Sequence, residues 1–182
     1  PVLTVAKHFP GHGDTAVDSH FDLPTVPHAI ERLRQIELPP FQAAIAAGVN
    51  SVMTAHLRIP ALDATYPATL SDRLLTKELR QRLGFEGLIV TDALIMGAIA
   101  NTYGPNEAAV LAVEAGADIL LMPGDPVGAI QAVCQAVEEG RITATQIRAT
   151  VERIWHAKQT VCCPPVAGAT SHTWETVTPS IH

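Results

Sequence analysis

Four short apolar runs without strict polar alternation mark the chain: Val2 to Ala6, Val49 to Ala55, Gly87 to Thr91 and Asp118 to Leu121. Runs of this kind read as strands covered on both faces, the habit of a parallel sheet. Between them the apolar positions recur at helical spacing. A helical pattern begins near Pro27, carries Ile30 and Leu33, and is interrupted at Pro39-Pro40. Phe41 to Ala47 forms the next helix and stops at Gly48. Ser71 caps a helix carrying Leu75, Leu79 and Leu83, which Gly84 ends. Gly104-Pro105 opens another that closes near Gly116. Asp125-Pro126 starts a helix with Val127, Ile130, Val133 and Val137 on one face, ending at Gly140. Thr143 and Gln146 make a capping box for a last helix with Ile147, Val151 and Ile154. The period is lost beyond Gln159, and Pro164 to His182, rich in Pro, Ser and Thr, reads as a linker or frayed tail. The division expected is a domain over 1–160 and a linker or disordered tail over 161–182.

Strand then helix, repeated in four units, predicts an α/β fold with parallel strands. A doubly wound sheet is one solution, and half of a (β/α)8 TIM barrel the other. Lys7-His8, His56, Asp92 and Met122 fall at the carboxyl ends of successive strands. Those ends converge on one site in a barrel, but spread along an edge in an open sheet. Pro10 to Thr15 lacks a P-loop lysine and does not open a helix. The pattern therefore favours the C-terminal half of a TIM barrel.

At 47% hydrophobic and 16% charged, the 182 residues can bury a core. The net charge of -6, with no basic stripe, argues against a nucleic-acid partner. No apolar run reaches the length of about 18 residues that a spanning helix needs, and no signal peptide is present. The chain opens on Pro1, already inside a strand, which predicts that the first half of the barrel is missing. Cys134, Cys162 and Cys163 show no metal-like spacing, and a reduced, cytoplasmic setting is expected.

Chemistry concentrates in Lys7 to His20, which holds three of the eight histidines, a lysine and two aspartates. Pro10, Gly11 and Gly13 make it a loop. His8, His12, His20 and Asp14 could be metal ligands, but Pro10 and Gly11 exclude the helix on which a four-residue His spacing pairs ligands; no metal is predicted. Asp18-Ser19-His20 sets a carboxylate two residues from an imidazole, able to fix its tautomer and tune its basicity, or else marks a surface turn. Asp92 ends a buried strand, where a carboxylate is costly unless paired or used, although a helix N-cap is the plainer role. Lys7 and His8 suit donation to ligand hydroxyls or carboxylates. His56 is either a ligand contact or a hydrogen-bonded core histidine. Met122 is either packing or, with Met96, part of an apolar wall.

Lys7-His8-Phe9-Pro10-Gly11-His12-Gly13, continuing to Asp18-Ser19-His20, resembles the signature of the bacterial β-N-acetylhexosaminidase branch of glycoside hydrolase family 3. Gly84 to Leu94 is similar to that family's nucleophile strand, and Gly116 to Pro123 to its last barrel strand. The resemblance implies a (β/α)8 barrel and a retaining hydrolase without a cofactor. Asp92 would be the nucleophile, and His20, paired with Asp18, the acid/base. Lys7 and His8 would bind sugar hydroxyls, and His56 and Met122, from their strand-end positions, are the further substrate-binding candidates. The substrate implied is a β-linked N-acetylglucosamine glycoside, as in muropeptides of peptidoglycan recycling. An aspartate and an arginine that the family places before Pro1 have no counterpart here, so the missing half is expected to be required. A β-glucosidase of the same family, a non-catalytic carbohydrate-binding half-barrel and a metal-dependent barrel hydrolase are the rival readings.

Overall fold

The computed structural model describes residues 2–13, 15 and 23–162. Three parallel strands form its sheet in the order β1-β2-β3: Val5–Phe9, Ser51–Thr54 and Leu88–Val90. β1 begins later than Val2 and takes in Lys7 and His8. Its start is set by Thr4, whose main-chain N–H donates to Asn50 Oδ1 (2.8 Å) and whose carbonyl accepts from Ser51 N–H (3.0 Å). The β1-β2 register runs Val5↔Ser51 and Ala6↔Val52, then shifts to Phe9↔Thr54. Two residues, Lys7 and His8, thus face the single step through Met53. Such a bulge turns side chains out of their alternating directions. The peptide bonds Lys7-His8 and Phe9-Pro10 are cis.

The fourth expected strand, 118–121, is reduced to a parallel bridge, Val90↔Ile119. Asp118 and Ile119 N–H groups both donate to Ile89 O (2.8 and 3.1 Å), and Leu121 N–H is taken by Thr91 Oγ1 (2.9 Å). A side chain here replaces the main-chain acceptor that a regular ladder would use.

The helices follow the anticipated order with four differences. Helix α1, Ile30–Arg32, runs into a π-helical turn, Leu33–Glu37, before α2, Pro39–Ala46. The segment Arg73–Arg82 is also π-helical, and the wider turn gathers Leu74, Leu75, Glu78 and Leu79 on one buried stripe. Helix α3, Gly97–Tyr103, was not legible beforehand, because Ala93 to Met96 is apolar without a period. The rest are α4, Pro105–Ala115, α5, Pro126–Glu138, and α6, Ala144–Cys162, which outlasts the predicted stop at Gln159. Thr143 Oγ1 accepts from Gln146 N–H (3.1 Å), but the Gln146 side chain donates to Val113 O (2.6 Å), so only half of the capping box forms.

Phe9, Leu33, Leu38, Val52, Leu75, Leu79, Ile89 and Ile99 lie in one core between sheet and helices. Phe9 meets Phe41 edge-on, with centroids 5.2 Å apart. A smaller cluster of Val110, Val113, Ala136 and Ile142 seats α5 on α4. Asp118 ties the layers together. Its Oδ2 accepts from Ile89 N–H (2.8 Å) and from the Arg80 guanidinium, and its Oδ1 accepts from Arg153 Nε (2.9 Å) and Thr150 Oγ1 (3.2 Å). Arg80 also caps the carbonyls of Phe85 and Gly87. At Gly87 a Cβ would stand 2.4 Å from Asn50 O, so β2 and β3 approach here only because the residue is glycine. Among the described residues, no helix is long and apolar enough to cross a membrane.

Candidate active site

The carboxyl ends of β1 and β3 bring His8 to Asp92. His8 Nε2 lies 3.8 Å from Asp92 Oδ2, with the side chains 30% and 18% exposed, so the pair is sheltered yet open to a ligand. Asp92 Oδ1 accepts from Ala93 N–H (2.8 Å), which leaves Oδ2 on the His8 side. Burial lowers the His8 pKa; Asp92 opposes the shift, and Lys7 and His12 add to it. His8 is therefore a neutral imidazole at pH 7, able to donate from one ring nitrogen. The His12 ring stands edge-on to it, with centroids 6.1 Å apart, and its Nδ1 is 2.9 Å from Thr15 Oγ1. Lys7 is exposed beside them.

His56 is fully buried behind Asp92. Its Nε2 is 3.0 Å from Ala93 O and its Nδ1 2.8 Å from Thr69 Oγ1. With both ring nitrogens engaged inside the protein, it underlies the site instead of lining it. Thr69 and Thr54 were missed in the sequence; the available signal was a lone hydroxyl within Ala68-Thr69-Leu70, all buried. The turn bearing Thr69 is held by Asp63, whose Oδ1 accepts from Thr65 and Tyr66 N–H (2.8 and 3.1 Å) and whose Oδ2 accepts from Ser71 Oγ (2.6 Å).

Met122 is 55% exposed and has a φ of 44°, a left-handed conformation rare for a non-glycine residue. It follows Leu121, whose carbonyl accepts from Leu94 N–H (2.9 Å), and so sits on the neighbour of the Asp92 segment. Strain of this kind concentrates at functional sites. Asp14, Asp18 and His20 lie outside the described residues. Residues 24–26 are held to Arg58: Val26 N–H donates to Arg58 O (2.9 Å), Arg58 N–H donates to Pro24 O (2.8 Å), and Thr25 pairs with Arg58 in a parallel bridge.

A cleft of about 510 Å³ lies along β1 between Lys7, His8, His12, Glu37 and Phe41. It does not include Asp92, so the His8–Asp92 contact, not this cleft, marks the candidate centre. Among the described residues, no group of three or more His, Cys, Asp or Glu is placed to hold a metal. A half-sheltered carboxylate beside a neutral imidazole and a lysine can attack an electrophilic carbon while neighbouring donors hold hydroxyls.

The family described as Glycosyl hydrolase family 3 N terminal domain matches residues 1–157. The chain is 44% identical over 134 residues to a β-hexosaminidase A of Pseudoalteromonas piscicida, covering 67% of this chain and 22% of that protein. It is 41% identical over 125 residues to a β-hexosaminidase of Nitrosospira multiformis, covering 69% and 36%. A solved glycoside hydrolase family 3 β-N-acetylglucosaminidase from Paenibacillus sp. str. FPU-7 superposes with a TM-score of 0.86 at 47% identity, covering 98% of this chain and 35% of that one. The chain thus spans well under half the length of these relatives.

Proposed function

Because the chain belongs to glycosyl hydrolase family 3, we propose that it carries the nucleophile and acid/base of a retaining β-N-acetylhexosaminidase. The observation that supports this reading most is the Asp92 carboxylate at the end of β3, its Oδ2 turned toward His8 at 3.8 Å. Asp92 Oδ2 attacks the anomeric carbon as the leaving oxygen takes a proton from His20, giving a glycosyl ester. His20 then removes a proton from water, which displaces Asp92 and releases the sugar. Asp18 holds the His20 ring for both steps. An imidazole in place of the usual second carboxylate suits a group that must give and take a proton near pH 7. Lys7 and His8 bind sugar hydroxyls, and Met122 offers an apolar wall. His56 serves the sugar site through its support of the Asp92 segment.

The substrate class is a terminal β-linked N-acetylglucosaminide, and the reading extends to muropeptide fragments in the cytoplasm. It includes a requirement for the complete barrel, so the measurements belong to the full-length protein. A 5-fluoro N-acetylglucosaminyl fluoride forms a glycosyl ester quickly and loses it slowly. The expected result is one sugar adduct on the peptide containing Asp92, found by mass spectrometry. An adduct on another residue, or steady turnover without one, overturns the assignment. Similarity to proteins named β-hexosaminidase supports N-acetylglucosaminide over glucoside as the substrate here. Faster hydrolysis of an aryl glucoside than of the matching aryl N-acetylglucosaminide would reverse that choice.

The acid role of His20 gives a separate result. His20→Ala is expected to lose about 100-fold or more with an alkoxide leaving group, and far less with a dinitrophenolate, which departs without a proton. Equal losses across a series of leaving groups point away from proton donation.

A further inference from the structure

We propose that His56 is a positioning residue for Asp92, acting through residue Ala93 and held in a single tautomer by Thr69. The inference rests on Asp92 being the nucleophile. It follows from an accounting of protons in a dry compartment, since Thr54, His56 and Thr69 are all fully buried. A carbonyl can only accept, so the 3.0 Å contact between His56 Nε2 and Ala93 O places a proton on Nε2. Burial lowers the His56 pKa against the bond to Ala93 and the charge of Asp92, with His12 and His8 adding to the lowering. The ring is therefore neutral, and Nδ1 is an acceptor.

Thr69 Oγ1, at 2.8 Å, is the donor that Nδ1 requires. The Thr69 hydroxyl has one proton and three neighbours: His56 Nδ1, Ala55 O at 2.9 Å and Thr54 Oγ1 at 2.9 Å. Ala55 O also has Leu57 N–H (3.0 Å), whereas among the described residues no other donor reaches Nδ1, so the single Thr69 proton goes to the ring. Thr54 then donates to Thr69, Thr69 to His56, and His56 to Ala93 O, one direction of donation along the whole chain. Residue 93 is held from both sides, its carbonyl by His56 and its N–H by Asp92 Oδ1 at 2.8 Å. The carboxylate is thereby tied to the N–H of a residue whose following peptide group is anchored to the buried His56 ring.

His56→Phe keeps the ring volume and removes both polar contacts. It is expected to lower kcat on an aryl N-acetylglucosaminide about 100-fold, the cost of a small misplacement of a reacting group. KM should change by less than about threefold, because the ring does not touch the sugar. His56→Gln keeps an N–H for Ala93 O and should recover about tenfold of the loss. Thr69→Val should lower kcat about tenfold, the order of one hydrogen bond, and Thr69→Ser should restore it. The rate of fluorosugar adduct formation should fall in parallel.

A wild-type kcat in His56→Phe overturns the proposal, as does a His56→Gln no better than His56→Phe, which would reduce the residue to packing. Should His56→Phe not fold, the Thr69→Val and Thr69→Ser pair decides: equal rates in the two overturn the proposal. Asp92→Ala in the same assay separates the two levels. Full turnover there removes the nucleophile reading and this inference with it. An inactive Asp92→Ala beside a fully active His56→Phe removes this inference alone.

Discussion

Replacing Asp92 by alanine is expected to lower turnover of an aryl N-acetyl-β-glucosaminide by about 10⁴-fold or more, the scale of losing a nucleophile outright. Among the described residues the carboxylate has one hydrogen bond, to Ala93 N–H at 2.8 Å, and it is 18% exposed, so the fold has little stake in it. Circular dichroism and thermal midpoint should therefore stay close to the parent while activity vanishes. Asp92→Asn sharpens the result, because it keeps the size and an acceptor for Ala93 but cannot attack. It should be as inactive as the alanine variant. Added azide should then rescue Asp92→Ala with an activated leaving group and yield the α-glycosyl azide, the inverted product of direct attack from the vacated face. Rescue giving the β-azide, or activity retained in either variant, contradicts the role assigned to Asp92.

The second large effect is on stability. Asp118→Ala is expected to cost about 3–5 kcal/mol, the usual penalty for leaving a buried charge without its partner. The Asp118 side chain is fully buried and Arg80 is 16% exposed, so the guanidinium would lose its counter-charge where water cannot replace it. Ile89 N–H, at the heart of β3, would lose its acceptor in the same change. Arg153 is 30% exposed, and truncating it to alanine should cost nearer 1 kcal/mol, since solvent screens that side of the pair. Urea unfolding of Asp118→Ala, Asp118→Asn and Arg153→Ala should rank them in that order. A loss below about 1 kcal/mol in Asp118→Ala would mean that the network contributes little net stability. With total stabilities of about 5–15 kcal/mol, the predicted loss takes much of the margin.

The order of strands and helices was legible because buried strands do not alternate and because glycine, proline and capping residues punctuate the helices between them. The placement of Asp92 just past a strand came from the same signal, and in the structure it follows β3, Leu88–Val90, by two residues. Other features depend on partners distant in sequence. The extra residue at Lys7-His8 is a property of the β1-β2 register, which only the pairing with Val52 and Thr54 defines. The strand expected at 118–121 dissolved because Thr91 Oγ1 took Leu121 N–H, a competition that no local pattern records. His56 could be placed at the end of β2, but whether its ring faces a ligand or the interior is settled by Thr69 and Ala93, 13 and 37 residues away. Asp118 read as the first residue of a strand, and its two arginines lie on other elements. Asp18 and His20, which lie outside the described residues, stay with the family resemblance.

The clamp at residues 24–26 is made by the amide and carbonyl of Arg58, not by its guanidinium, which is exposed. Every amino acid except proline brings the same two groups, so the mooring of residues 24–26 is indifferent to what occupies position 58. Drift at that position can alter the side chain offered to solvent while residues 24–26 keep their attachment. Position 58 is thus a place where descendants of this sequence can diverge without first solving a folding problem.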